Sequence, residues 1–318
     1  MKKSLIALAV LGLSSAAMAQ SSVTLYGVAD AGVGQIKSDG VGSNDASTKT
    51  EFLGASTMNN GTSRLGVRGV EDLGGGLQVG FNFETGLDLD NGAQASSGGT
   101  MWGRQANMWL GGNWGTVKLG RQFTPSYLVE STYDLTGAAN YSALANTYNY
   151  GTNQNVGSRA PSAFAYVSPT FYGFKVAAAY VTKHDLNGDS DAYDLGALYN
   201  QGPIAIGASV NKVEDHKTAY QVGGKYNFGM FAVAGSYSQT TDGDLRRRGF
   251  SLGASANWGA FTLTGDVTRD SKNELTGKKY TNGVVEAKYA LSKRTFVYGA
   301  YLRFDGDNNW GLGVRHNF

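Results

Sequence analysis

Apolar and polar residues alternate along most of this chain. Across 250–258, Phe250, Leu252, Ala254, Ala256 and Trp258 interleave with Ser251, Gly253, Ser255 and Asn257. Tyr220, Val222, Gly224, Tyr226 and Phe228 interleave in the same way with Gln221, Gly223, Lys225 and Asn227, as do Leu77, Val79, Phe81 and Phe83 with Gln78, Gly80, Asn82 and Glu84. Side chains alternate across a strand with a period of two, so each stretch predicts a strand with one apolar and one polar face. Similar segments recur from 23–33 to the final residues, about sixteen in all. No helical repeat and no linker divides them, so a single domain is expected.

Two kinds of connection take turns between these segments. Short, Gly-bearing ones fall at 72–76, 112–115, 201–203 and 258–259, and longer hydrophilic ones at 37–56, 90–100, 240–247 and 271–279. Tight turns on one rim and long loops on the other is the layout of an outer-membrane barrel. One connection is out of scale. Residues 125–157 carry Tyr127, Leu128, Tyr133, Leu135, Tyr141, Leu144 and Tyr148, enough apolar surface to pack rather than float, so this loop is expected to fold against the inner wall. The predicted fold is all-β: a transmembrane antiparallel β-barrel of about sixteen strands with an inward-folded third loop.

The two ends agree with a membrane barrel. Trp310, Leu312, Val314, His316 and Phe318 share one face of the last strand, with Gly311, Gly313, Arg315 and Asn317 on the other. An aromatic closing such a strand suits a membrane interface, and Phe318 is read as a barrel-closure and assembly signal. Lys2 and Lys3 precede the apolar run at 5–11 and the small-x-small site Ala17-Met18-Ala19, which reads as a signal peptide over 1–19 and a barrel domain over 20–318. Its removal takes two of the 27 Lys and Arg and leaves a formally neutral chain beside 25 Asp and Glu, with no general charge argument for a nucleic-acid partner. There is no Cys, and no apolar run long enough for a membrane helix. The 46 Gly and the mean hydropathy of −0.27 fit strands of which only alternate residues touch lipid.

Alternation also sorts the charges. With Leu65 and Val67 outward, Arg64 and Arg68 point inward; Lys118 follows from Val117 and Leu119, and Arg159 from Phe164 and Tyr166. Asp30, Glu84, Lys225, Asp266, Glu286, Lys288, Arg303 and Arg315 complete the expected wet face. Strict alternation puts Arg104 and Arg121 on the lipid side, where a guanidinium costs ~2–4 kcal/mol at mid-membrane. Either a bulge re-aims each one or the strand has already left the bilayer there.

Several stretches together resemble the general porins of beta-proteobacteria: 22–27 (SVTLYG), 63–77 (SRLGVRGVEDLGGGL), 103–106 (GRQA), 113–121 (NWGTVKLGR), 291–295 (LSKRT) and the aromatic tail. The resemblance runs in order along the whole mature chain. It implies a trimeric sixteen-stranded barrel in the outer membrane of a Gram-negative cell, in contact with lipid and lipopolysaccharide, and carrying small ions and hydrophilic solutes by passive diffusion. It also implies that Arg104 joins Arg64 and Arg159 in a basic cluster at the pore. The expected constriction set is therefore Arg64, Arg68, Arg104, Lys118, Arg121 and Arg159, with Glu130 and Asp134 as the loop's acids. Bases in excess of acids predict mild anion selectivity.

Other chemistries have little to stand on. The three His are His184, His216 and His316, with no nucleophile–base spacing, so no enzyme is expected. Residues 187–191 (NGDSD) and 305–307 (DGD) hold alternating acids without a distal Glu, and read as polar loops rather than calcium sites. Arg246, Arg247 and Arg248 read as a rim charge run near lipopolysaccharide. No metal or cofactor is implied. The competing function class is a surface barrel acting as an adhesin or partner-binding protein, with the pore incidental.

Overall fold

The computed structural model describes residues 22–37, 49–95, 100–182 and 190–318. The expected signal peptide, His184 and most of 187–191 lie outside the described residues. The strands are β1 (Ser22–Gln35), β2 (Glu51–Leu53), β3 (Arg64–Gly74), β4 (Leu77–Gly86), β5 (Gln105–Gly112) and β6 (Gly115–Phe123). After two helices, α1 (Pro125–Tyr133) and α2 (Ala143–Tyr148), come β7 (Arg159–Val167), β8 (Phe174–Val181), β9 (Ala192–Gln201), β10 (Ile204–Val213) and β11 (Ala219–Asn227). The chain finishes with β12 (Phe231–Asp242), β13 (Leu245–Trp258), β14 (Phe261–Asn273), β15 (Thr281–Ala290), β16 (Thr295–Phe304) and β17 (Asp307–Asn317).

Every long strand pairs antiparallel with its sequence neighbours, and β1 pairs with β17 from Val28↔Asn317 to Gln35↔Trp310, so the sheet closes. Sixteen strands cross; β2 is a three-residue strip beside the upper half of β1. Closure pairs each long strand with a neighbour on either side around the ring, the arrangement that lets a sheet span a membrane. Gly27 and Phe318 exchange both backbone hydrogen bonds at 3.0 Å. The Phe318 ring lies where a Gly27 side chain would begin: a Cβ there would meet Cζ at 2.4 Å.

The outward stripes are the predicted ones. Leu25, Leu119, Phe164, Leu195, Val222, Leu252, Val285 and Leu312 are all exposed, Leu252 to 71%, which is reasonable only if lipid covers them. Aromatic pairs sit at the short-turn rim, including Phe174 with Tyr199 at 4.6 Å and Trp258 with Phe261 at 6.0 Å between centroids. They form the interfacial girdle.

Three expectations need correction. First, 240–247 is not a long loop: β12 runs to Asp242 and β13 starts at Leu245, around Gly243 at φ +53°. Second, Arg303 shares the outward, exposed face of β16 with Tyr301. Tyr298, Ala300, Leu302 and Phe304 face inward and are buried, because this part of the inner wall is itself apolar and covered. Third, the long third loop is not alone inside. The segment 54–63 also tucks into the lumen, and Met58 and Leu53 join Tyr141, Ala139 and Ala143 of the third loop over β15 and β16. Asp30 pins this segment, accepting from the Gly61 N–H at 2.8 Å and the Tyr298 hydroxyl at 2.6 Å, and it is buried rather than wet.

Within the third loop, Thr124 caps α1 by accepting from the Tyr127 N–H, and Pro125 opens it with a preset φ. Ser142 caps α2, and Asn149 ends it in the left-handed conformation. Tyr133, Tyr141 and Tyr148 are fully buried between loop and wall, as the loop's apolar content predicts. Asp194 on β9 accepts from the Ser126 hydroxyl at 2.7 Å, and Gln221 on β11 donates to the Ser126 carbonyl and accepts from Tyr133. These buried bonds fasten α1 to one side of the barrel.

Candidate pore constriction

Where the third loop and the 54–63 segment come nearest to the wall of the first strands, a polar cavity of about 530 Å³ remains. Arg64, Arg104, Arg159 and Arg315 line it, with Tyr26, Tyr127, Tyr150, Asn60 and Asn140. Glu84 is the one acidic side chain in the lining, so the side chains there carry an excess of positive charge.

The arginines are held, not loose. The Arg104 Nε donates to Glu84 Oε1 at 2.7 Å, and Arg64 stands 3.8 Å from the other oxygen of the same carboxylate. Arg64 also donates to the Thr62 carbonyl, and Arg315 to the Asn60 side-chain oxygen at 2.8 Å. The Arg159 guanidinium lies 4.3 Å over the Phe123 ring, which stacks on Tyr127 at 4.4 Å. The buried Arg159 Nε has no hydrogen-bond partner among the described residues.

Both awkward arginines border lumen cavities. Arg104 precedes β5, whose ladder begins at Gln105, so the alternation that would aim it at lipid has not started. Arg121 sits where the β6–β7 register shifts between Gly120 and Gln122, and Gly120 adopts φ +107°. That bulge turns Arg121 into an adjoining cavity with Arg104 and Arg159. The remaining bases lie lower: Arg68 and Lys118 line a separate cavity toward the short-turn rim. Alternation predicted their inward aim correctly but carries no information on depth.

Glu130 and Asp134 are not brought to the arginines. Glu130 points from α1 toward the wall, 1% exposed, with neither oxygen bonded to a described residue. Asp134 accepts from the Thr136 N–H and hydroxyl at 2.8 Å. Burial, then the charges of Asp134 and Asp266, push the Glu130 carboxyl well above the usual carboxylate range. A raised value in the folded chain contributes stability that is complete below an ordinary glutamate value of about 4.3 and is lost as pH rises through the folded value. Glu130→Gln should therefore raise the heat-unfolding midpoint in detergent at pH 8 and change it little at pH 4. An equal effect at both would mean that the Glu130 carboxyl is not shifted upward by its surroundings.

Sequence reasoning put Arg315 and Glu84 on the inner face without giving them a place in the constriction. It missed Asn60, Asn140 and Tyr150, because nothing in alternation says which loop residues approach a wall. The other candidates are occupied elsewhere. Arg247 is buried between Asp270 at 3.0 Å and Asp305 at 2.5 Å, so it does not face lipopolysaccharide, and Asp305 is taken up by an ion pair. The His216 Nδ1 meets Asn153 and the Gly243 N–H, and the His316 Nδ1 meets Thr295. Among the described residues no three His, Asp or Glu gather as metal ligands.

A lipid-belted barrel whose wet lumen is narrowed by its own third loop is a transmembrane channel of the outer-membrane type. The chain belongs to the Gram-negative porin family, whose sequence profile matches residues 4–309. It is 34% identical to outer membrane porin protein 32 of Delftia acidovorans, across 99% of this chain and 93% of that one. It is 32% identical to the major outer membrane protein P.IB of Neisseria gonorrhoeae, across 64% and 56%. The anion-selective porin from Comamonas acidovorans superposes with a TM-score of 0.76 at 28% identity, covering 94% of this chain and all of that one. The chain is thus an outer-membrane porin, a multi-pass barrel that lets solutes cross the outer membrane.

Proposed function

We propose that this porin is a passive, mildly anion-preferring channel for small inorganic anions and organic acids, with Arg64, Arg104 and Arg159, joined by Arg315, as its filter. The observation that carries the reading is the lining of the narrow cavity: four arginines and one glutamate. Three excess charges ~6 Å from a passing ion give about 2 kcal/mol even at the dielectric constant of water, before screening by salt. That is enough to set the sign of selectivity and too little to trap an ion. Glu130, buried and turned to the wall, is not part of the cavity lining and does not offset the arginines there. The similarity to a porin described as anion-selective supports the same preference. Under a potassium chloride gradient across a planar bilayer, the reversal potential should take the anion-selective sign; the opposite sign sinks the proposal. Arg121, Arg68 and Lys118 extend the positive wall above and below the filter.

The chain works as a homotrimer in this reading. The outward face of β1 presents Val23, Leu25, Ala29, Ala31 and Val33, with Gly27 covered by the Phe318 ring, and the small Ala29 and Ala31 permit close approach of a second backbone. Beside it an apolar groove runs between Val23, Gly69, Val79, Phe81 and Met108, on the same outward side. Ala29→Trp should convert the trimer to monomers in mild detergent, read by light scattering. An unchanged mass would place the contact elsewhere. Catalysis has no part in the proposal. A partner-binding role is the weaker reading, because β12–β13 and β16–β17 are joined at the outer rim by turns of only a few residues.

A further inference from the structure

We infer that the inner wall between the constriction and the short-turn rim carries a second site, suited to a small aromatic carboxylate. It goes beyond the charge preference proposed above, since it distinguishes among anions by their shape. The cavity there has a volume of about 390 Å³ and is bordered by Arg68, Lys118, Trp109, Asn82 and Asn107.

Three features point to such a ligand. The first is charge without a protein counter-charge. Among the described residues, neither the Arg68 guanidinium nor the Lys118 ammonium has an ion pair or a side-chain hydrogen bond; Arg68 lies 5.3 Å over the Tyr26 ring. In the constriction, by contrast, Arg64 and Arg104 share Glu84. The second is a flat apolar platform. The Trp109 indole lies against a floor without side chains: a Cβ on Gly80 would meet its Cζ2 at 2.4 Å, and one on Gly111 its Cζ3 at 3.4 Å. One face is pressed to the wall and the ring remains half-buried, with the lumen on its other side. A large indole kept on the wet face of a barrel has no lipid to meet, and among the described residues its cavity is bordered by strand residues alone.

The third is register. Trp109 is the cross-strand partner of both Gly80 and Lys118, and Arg68 is the partner of Asn82, itself paired with Asn107. The two charges therefore stand on strands three apart and two residues off in register, about 16 Å between backbones at the usual strand dimensions, with the indole and two amides between them. Both side chains border the same cavity as the indole, so either can meet the carboxylate of an acid seated there. A ring stacked on Trp109 would put its carboxylate beside Lys118 or Arg68, gaining from both the aromatic contact and the charge. Aliphatic acids of the same charge lack the stacking half.

The test uses the intact protein in a planar bilayer, with benzoate or acetate added on the short-turn side of an open channel carrying chloride. Benzoate is expected to interrupt the current with dwell times on the order of five- to tenfold longer than acetate, the size of one aromatic contact. Trp109→Leu should bring the benzoate-to-acetate ratio close to one, and Lys118→Gln should shorten the benzoate dwell several-fold. A channel that inserts and conducts reports its own folding. The Arg64→Gln, Arg159→Gln double variant should keep the ratio while its reversal potential moves, so failure here and failure of the filter are told apart. Equal dwell times in the parent, an unchanged ratio in Trp109→Leu, or loss of the ratio in the arginine double variant would each overturn the site.

Discussion

With Arg64 and Arg159 both replaced by glutamine, the reversal potential in a potassium chloride gradient should move most of the way from the anion side to zero. The two replacements remove two of four positive side chains from the cavity lining and leave Arg104 and Arg315 against Glu84. An excess of three becomes an excess of one, so the electrostatic term falls from about 2 kcal/mol to under ~1 kcal/mol. Adding Arg104→Gln should bring the lining to balance and take the reversal potential to about zero, because Arg315 alone then stands against Glu84. Salt supplies an internal check: raising ionic strength should shrink the difference between parent and variant, as expected for charges in an aqueous passage. A double variant with the parent's reversal potential would show that selectivity is set at another level, such as that of Arg68 and Lys118.

Filling the glycine floor beneath α1 should narrow the channel. Val129 meets the wall over Gly196 and Gly207, where an added Cβ would lie 2.9 Å from its methyl groups. Tyr133 meets it over Gly223, where a Cβ would come within 2.6 Å of the ring. The helix sits that close because three neighbouring strands present hydrogen instead of a side chain. Its opposite side bears Tyr127, which lines the constriction. Gly207→Val with Gly223→Val therefore pushes α1 into the lumen. Single-channel conductance should drop clearly, and overpacking should lower stability by ~1–3 kcal/mol. Gly265→Ala is the control, since nothing lies within 4 Å of a Cβ there. Unchanged or greater conductance would mean that α1 is not a wall of the passage.

Strand existence and outward aim were legible in the sequence because a period of two repeats many times and lipid enforces it. The same rule failed on β16, where Tyr298, Ala300 and Leu302 face inward. Alternation reports only that two faces differ, and an inner face covered by the chain's own loops is as apolar as an outer one. Arg121 shows a second limit: its awkward lipid-side position calls for a bulge or a strand end, but only the register shift between Gly120 and Gln122 says which of the two occurs and where. The loop acids show a third. Glu130 and Asp134 were placed in the constriction by counting charges in a segment, yet a helix has two sides, and the side bearing Glu130 packs against the wall. Side-chain type told what the loop could do; only its packing decides which way each group faces.

The pairing of β1 with β17 has a kinetic consequence. Neighbouring strands elsewhere are linked by turns or loops and can zip together as local hairpins, each with a modest loop-closure cost. The last seam joins residues from opposite ends of the described chain, Val28 with Asn317 and Gln35 with Trp310, and no turn sets its register. Contacts of such sequence separation form late, so ring closure is expected to be the slow event of folding. Until then β1 and β17 are two bare sheet edges with unpaired N–H and C=O groups, open to any other strand. An unclosed barrel is a chain waiting for its own far end, and crowding during export would favour a wrong partner at that moment alone.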